Sequence, residues 1–354
     1  MIRQATSVVL VACVALGCNG PAEPDGPVVG AGPAETMEWD APTDGFDLSG
    51  TLLLPDREGP VPVVVLVHGS GANSRDQPMS GQLNFGFGVE IGVFAQLATQ
   101  LQDRGVAVYR YDKRSCGPFN GCADNGYPAP ANDVTVFTFA EDAVAATASL
   151  RDNPAIDPER IWVVGHSQGG QLVPQMVRDG QLAGGILLAA PHDPVDEGLR
   201  DQLSFTIDLL RESGATQAAI DATTADLKTL VEGTQALRSG THDSSAIGGA
   251  SAAFWASWMQ AGDDAPGIAA GLDQPLLALG GDYDWNVPSD QLDGWRSAFA
   301  THDGVREAKE LACITHALNC VSQPDWKLVT PADISSNVSA DVSDKIAEFI
   351  LQTR

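Results

Sequence analysis

A chain of 354 residues can bury a large core and could hold one large α/β domain or two small ones. Its 46 acidic residues against 20 basic ones leave a formal net charge of −26, which repels phosphate backbones and anionic lipid surfaces and argues against nucleic-acid binding. No acidic loop has calcium-ligand spacing and neither C-x-x-C nor H-E-x-x-H occurs, so the charge reads as a soluble, hydrated surface and no metal site is expected.

The chain opens on "MIRQATSVVLVACVALGCNG", with Arg3, an apolar run from Ala5 to Gly17 and small residues before Cys18. That run is too short to span a bilayer and fits a secretory signal over 1–18. "ALGC" resembles the lipobox of bacterial lipoproteins, although Ala15 stands where leucine is usual, and the resemblance implies that Cys18 is lipidated. Cys13 in "LVAC" is the rival site, with a very short apolar run before it, and an ordinary cleaved signal is the other alternative. Residues 19–36 are rich in Pro and Gly, as a flexible tether to the domain at 37–354 would be. Any membrane contact is therefore expected through this N-terminal lipid alone.

"MEWDAPTDGFDLSGTLLLP" reads as an antiparallel hairpin turning at Asp44-Gly45. "VPVVVLVHGSG" is a continuous apolar strand ending in glycines, followed by a helix from about Glu90 to Asp103 with Phe94, Leu97 and Leu101 on one face. The strand "RGVAVYRYDKR", a helix over 135–151 and the strand "RIWVVGHS" come next. "QGGQLVPQMVRDG" is helical in pattern, with Pro174 near its first turn, and "AGGILLAAP" is a further strand. The alternation then stops from 192 to 272. There Leu199, Leu203, Ile207 and Leu210, then Ile220, Leu227, Leu230 and Val231, repeat at helical spacing and mark a helical insertion. It resumes with "PLLALGGDYDWNVP" as a strand, a helix to about Ala300, the strand "REAKELACIT" and the helix "SADVSDKIAEFIL". Alternating strands and helices argue for an α/β fold, a mostly parallel sheet with helices on both faces.

Ser167 lies in G-x-S-x-G between a strand and a helix, which is the context of a nucleophile elbow. Gly165 and Gly169 allow the sharp turn that lifts a hydroxyl above the sheet. A serine hydroxyl needs an imidazole to take its proton, and the imidazole needs a carboxylate to orient it. The first strand after the insertion ends in Asp282 and Asp284, and the next ends in "ITHALNC", with His316. His302 falls before "DG" and reads as a solvated loop residue, whereas His166 reads as a local packing or hydrogen-bonding residue. An oxyanion would need backbone N–H donors. Gln168 follows the serine, and "HGSG" at 68–71 offers Ser70, or alternatively Gly71.

"HGSGANSRD", "YDKRSCG", "GHSQGG", "LALGGDYDWNVP" and the late "THALNC" together resemble the α/β-hydrolase superfamily, and within it bacterial esterases and serine-peptidase-like hydrolases. The similarity runs over about 60–350. It implies Ser167 as nucleophile, Asp284 rather than Asp282 as the carboxylate, and His316 as base. It also implies an ester substrate cleaved by way of an acyl-enzyme, no cofactor, and an insertion that acts as a lid. Peptidase or amidase activity, and a surface lipoprotein with only a binding role, are the alternatives. The chain departs from the pattern at Ser115, where glycine is usual, and at Gln168, where an acidic residue is usual.

In the insertion, "FWASWMQ" puts Phe254, Trp255 and Trp258 at helical spacing, either as lining of an acyl or aryl pocket or as the insertion's own packing. Four cysteines follow the signal. For an exported chain, Cys116 with Cys122 and Cys313 with Cys320 are the simplest disulfides, and buried free thiols are the alternative.

Overall fold

The structure, a computed structural model, describes residues 35–43, 47–57, 59–79, 89–116, 122, 134–212, 214–243 and 245–353. The expected signal at 1–18 with Cys18, most of the tether, and the Asp44-Gly45 turn lie outside these residues.

Eight strands form one sheet: β1 (Glu35–Pro42), β2 (Asp47–Leu54), β3 (Val61–Val67), β4 (Ala107–Tyr111), β5 (Ile156–His166), β6 (Gly184–Leu188), β7 (Leu276–Gly281) and β8 (Arg306–Leu311). Their spatial order is β1-β2-β4-β3-β5-β6-β7-β8. β1 pairs antiparallel with β2, and β2 antiparallel with β4. Every other pairing is parallel. β1 begins slightly before the domain start expected at 37.

The central strands are apolar throughout because both faces of the sheet are covered. All seven residues of "VPVVVLV" in β3 are buried, and each buried valine contributes roughly 1.5–2 kcal/mol of transfer free energy. One face packs Phe94, Leu97 and Leu101 of α1 (Val93–Asp103) with Ile346 and Ile350 of the C-terminal helix, Ala340–Gln352. The other packs Val136, Ala140 and Ala143 of α2 (Val136–Leu150) with Val173, Met176 and Val177.

The single helix expected after Ser167 is two, α3 (Gln168–Gln171) and α4 (Val173–Gly180). Pro174 is the physical reason for the break, since it has no N–H to continue the ladder. Between β6 and β7 the chain forms α5 (Val195–Glu212), α6 (Gln217–Arg238) and α7 (Ala252–Gly271). Asp196 of α5 and Arg238 of α6 are ion-paired through two hydrogen bonds of 2.5 and 2.7 Å. A short antiparallel pair, Asn319–Val321 with Ile334–Val338, had no signal in the sequence because its strands are brief and not alternating.

Candidate active site

β3 and β5 are parallel neighbours, with Val67 paired to Gly165, so the loops that follow them emerge side by side at one edge. Ser167 occupies the turn after β5 at φ 54°, ψ −120°, a conformation that costs a non-glycine residue on the order of 1–3 kcal/mol. Its N–H donates to Leu188 O at 2.9 Å, and its carbonyl accepts from Gln171 N at 3.1 Å. The turn depends on its glycines. A Cβ on Gly165 would lie 2.2 Å from Gly169 O, and one on Gly169 would lie 2.5 Å from the carbonyl oxygens of both Val67 and His68. Ser167 is half-buried, whereas His166 and Gln168 on either side are buried.

Asp284 follows β7 and His316 lies beyond β8, and the fold brings them into contact. His316 Nδ1 donates to Asp284 Oδ2 at 2.7 Å. Asp284 Oδ1 accepts the backbone N–H groups of Asn286 and Val287, both at 2.9 Å. With Asp284 ionised, Nδ1 of His316 carries the proton and Nε2 is left with its lone pair. Asp282 is exposed, and its backbone N–H donates to Leu311 O. His302 sits apart in its own turn, accepting from Gly304 N at 2.8 Å.

His316 rides on a loop closed by the disulfide Cys313–Cys320, and Cys116–Cys122 is the second disulfide. Both follow the simplest pairing, and both are bonds that an oxidising compartment outside the cytoplasm sustains. Cys313 and Leu318 hold positive φ values of 63° and 62°, so the loop turns sharply on either side of the histidine. The double variant Cys313→Ser, Cys320→Ser is expected to lose about 2 kcal/mol of stability, read by urea denaturation. An unchanged denaturation midpoint would show that the loop needs no cross-link.

His166, assigned a local role from sequence, reaches further. Its Nε2 meets His316 O at 2.8 Å, with the rings 4.7 Å apart, which ties the His316 loop to the residue preceding Ser167. Gln77 Nε2 donates to His166 Nδ1 at 3.0 Å, so His166 Nε2 is the protonated nitrogen and donates to that carbonyl. Burial, and then the neighbouring His316, push the His166 imidazole down to about 3, so it is neutral.

The "HGSG" loop closes the site from the β3 side. A Cβ on Gly69 would lie 3.2 Å from Ser167 Cβ, while Ser70 is exposed. Lys113, after β4, is buried with its Nζ 2.7 Å from Gly69 O and 3.3 Å from Gln168 Oε1, and it lies over the Phe139 ring at 4.1 Å. Desolvation pushes its amine down to about 7. Neither Gln77 nor Lys113 was singled out from sequence. Lys113 did lie in the "YDKR" motif, whereas Gln77 had no signal.

The insertion packs on this constellation. α7 lies against α2 and α4, and Ser257 Oγ accepts the N–H of Val136 at 3.1 Å. Trp258 Nε1 donates to Gln171 Oε1 at 3.0 Å, just past the elbow. Trp255 is fully buried, stacked on Trp258 at 5.7 Å, and its Nε1 donates to Ile247 O, which is the geometry of internal packing. Phe254 is half-buried and meets Phe139 edge to face at 6.4 Å, beside Lys113. From α5, Phe205 stacks on Trp285 at 5.6 Å and Gln202 donates to Asn286 O, so the insertion also contacts the Asp284 loop.

Comparison with known proteins agrees with this architecture. Over 173 residues, 49% of this chain, the sequence is 31% identical to the esterase EstD of Thermotoga maritima, and the match spans 37% of that relative. Two solved structures share the fold. Est1E from Butyrivibrio proteoclasticus has a TM-score of 0.52 and 14% identity, covering 89% of this chain and 98% of that one. The alpha/beta hydrolase GrgF from Penicillium sp. sh18 has a TM-score of 0.53 and 16% identity, covering 91% and 99%. The family model of the alpha/beta hydrolases matches residues 64–318, from within β3 to the His316 loop, and the chain belongs to that family.

Proposed function

We propose that the chain is a serine hydrolase that cleaves carboxylic esters through an acyl-enzyme on Ser167. The observation that carries this reading is the buried hydrogen bond from His316 to Asp284, on a loop tied through His166 to the strained serine turn. The partial match to an esterase supports the choice of ester.

In this mechanism Ser167 Oγ attacks the ester carbonyl while His316 Nε2 takes its proton. The carboxylate of Asp284 stabilises the imidazolium without itself being protonated. The backbone N–H groups of Gln168 and Ser70 hold the oxyanion. His316 then gives the proton to the leaving alkoxide, and the alcohol departs. Water attacks the acyl-enzyme, His316 takes its proton, and collapse returns the proton to Ser167 and releases the acid. Each bond formed is matched by one broken, and no redox step is needed.

The insertion over about 192–272 acts as a lid, and Phe254, with Trp258 behind it, forms the wall of the acyl or aryl pocket. Outside the described residues, an export signal ending at Cys18 delivers the domain to the cell envelope, with lipid on that cysteine as its anchor.

A p-nitrophenyl ester series from acetate to palmitate, run beside an aminoacyl p-nitroanilide, tests the reaction class. Ester turnover with a defined chain-length optimum is expected. Cleavage of the anilide with inert esters would replace the esterase reading with a peptidase one.

A further inference from the structure

The mechanism above uses the Gly69–Ser70 peptide as an oxyanion donor but does not explain what holds that peptide on an otherwise open glycine loop. Two buried side chains grip Gly69, Gln77 on the peptide that precedes it and Lys113 on the Gly69–Ser70 peptide itself. Gly69 N–H donates to Gln77 Oε1 at 3.1 Å, and Gly69 O accepts from Lys113 Nζ at 2.7 Å. Asn73 Nδ2 adds a longer contact to Gly69 O at 3.3 Å and one to Ser70 O at 3.0 Å.

A trans peptide points its C=O and N–H in opposite directions. With Gly69 O drawn toward Lys113, the N–H of Ser70 must face away from the lysine. The same Nζ reaches Gln168 Oε1 at 3.3 Å, on the residue that supplies the other donor. Gln77 in turn reaches His166, which holds His316 O. Gln77 itself is buried and sits at φ 45°, a strained placement, with its amide also 3.9 Å from Met79 Sδ.

We propose that Lys113 and Gln77 are positioning residues that set the oxyanion hole, Lys113 by orienting the Gly69–Ser70 peptide and Gln168 together, Gln77 by locking that loop to the His166–His316 contact. The inference rests on the serine-hydrolase reading above.

The surroundings of Lys113 fit this role. Among the described residues no carboxylate lies within salt-bridge distance of Nζ. Asp142, the charge that favours its protonated form, is bound by Arg114. His68, buried and pushed down to about 3 first by desolvation and then by Lys113, is neutral. The amine therefore directs its hydrogen bonds at a carbonyl and an amide oxygen.

The test uses the full chain as wild type, Lys113→Met, Lys113→Arg and Gln77→Leu. Active sites are counted with a fluorophosphonate. kcat and KM are measured on p-nitrophenyl acetate, and the inhibition constant of a trifluoromethyl ketone, whose adduct carries an oxyanion, is measured alongside. Lys113→Met is expected to lower kcat per active site by about 10–100-fold, somewhat less than deleting an oxyanion donor outright. KM should stay within about twofold, the ketone should bind more weakly by the same factor as kcat/KM, and Lys113→Arg should recover part of both. Gln77→Leu should act in the same direction, which decides the matter if Lys113→Met does not fold. Unchanged kcat per active site, or a fall in kcat with the ketone binding as before, would overturn the inference while leaving the serine hydrolase standing. A wild type that neither turns over ester nor reacts with the fluorophosphonate would remove the underlying reading and this inference with it.

Discussion

Ser167→Ala is expected to cut ester turnover by roughly 10⁵–10⁶-fold, the scale seen when the nucleophile of a serine triad is removed. The variant should fold as the wild type does. The turn is held by Ser167 N donating to Leu188 O, by Gln171 N donating to the serine carbonyl, and by the glycines at 165 and 169, none of which the substitution alters. Alanine carries the same backbone strain as serine at φ 54°. Loss of p-nitrophenyl acetate turnover with an unchanged melting temperature is therefore the expected pair of results. Turnover retained within about tenfold would place the nucleophile elsewhere.

Asp284→Asn should cost about 10⁴-fold in kcat/KM, and the hydrogen bonds say why. Oδ1 accepts two backbone N–H groups, from Asn286 and Val287, and an asparagine keeps both by placing its oxygen there. Its amide nitrogen then faces His316 Nδ1, where Oδ2 had accepted at 2.7 Å. The imidazole must present a lone pair to that N–H, so its proton moves to Nε2, and the lone pair that the proposed mechanism uses as base is lost. Asp282→Asn is the control: Asp282 is exposed and engaged through its backbone, so kcat/KM should change by less than about twofold. Equal losses in the two variants would contradict the assignment.

These contrasts also mark how far the sequence could be read. β3 to β7 could be placed because each carries an apolar run in a sheet covered on both faces, whereas β1 and β8, rich in charged residues, were placed by the hairpin and the strand–helix alternation around them. The elbow was legible because its glycines stand at a fixed spacing around the serine, although Gly169 is demanded by carbonyls of the distant Val67 and His68. Asp282 and Asp284 differ by one turn of loop, and residue pattern alone left both open; only the folded loop puts one on His316 and the other in solvent. Gln77 and His166 were harder, since their partners lie far from them in sequence, and the motif that contains His166 does not say what its imidazole meets. The tryptophans of "FWASWMQ" show the same limit in reverse. Helical spacing puts Trp255 and Trp258 on one face, but whether that face meets solvent or the protein's interior is a property of packing, and Trp255 is fully inside.

Mapping the fluorophosphonate adduct by mass spectrometry tests the central claim most directly. The account predicts a single adduct, on the peptide that carries Ser167, absent in Ser167→Ala and formed far more slowly in His316→Ala. An adduct on another residue, or labelling of Ser167→Ala at the wild-type rate, would contradict it.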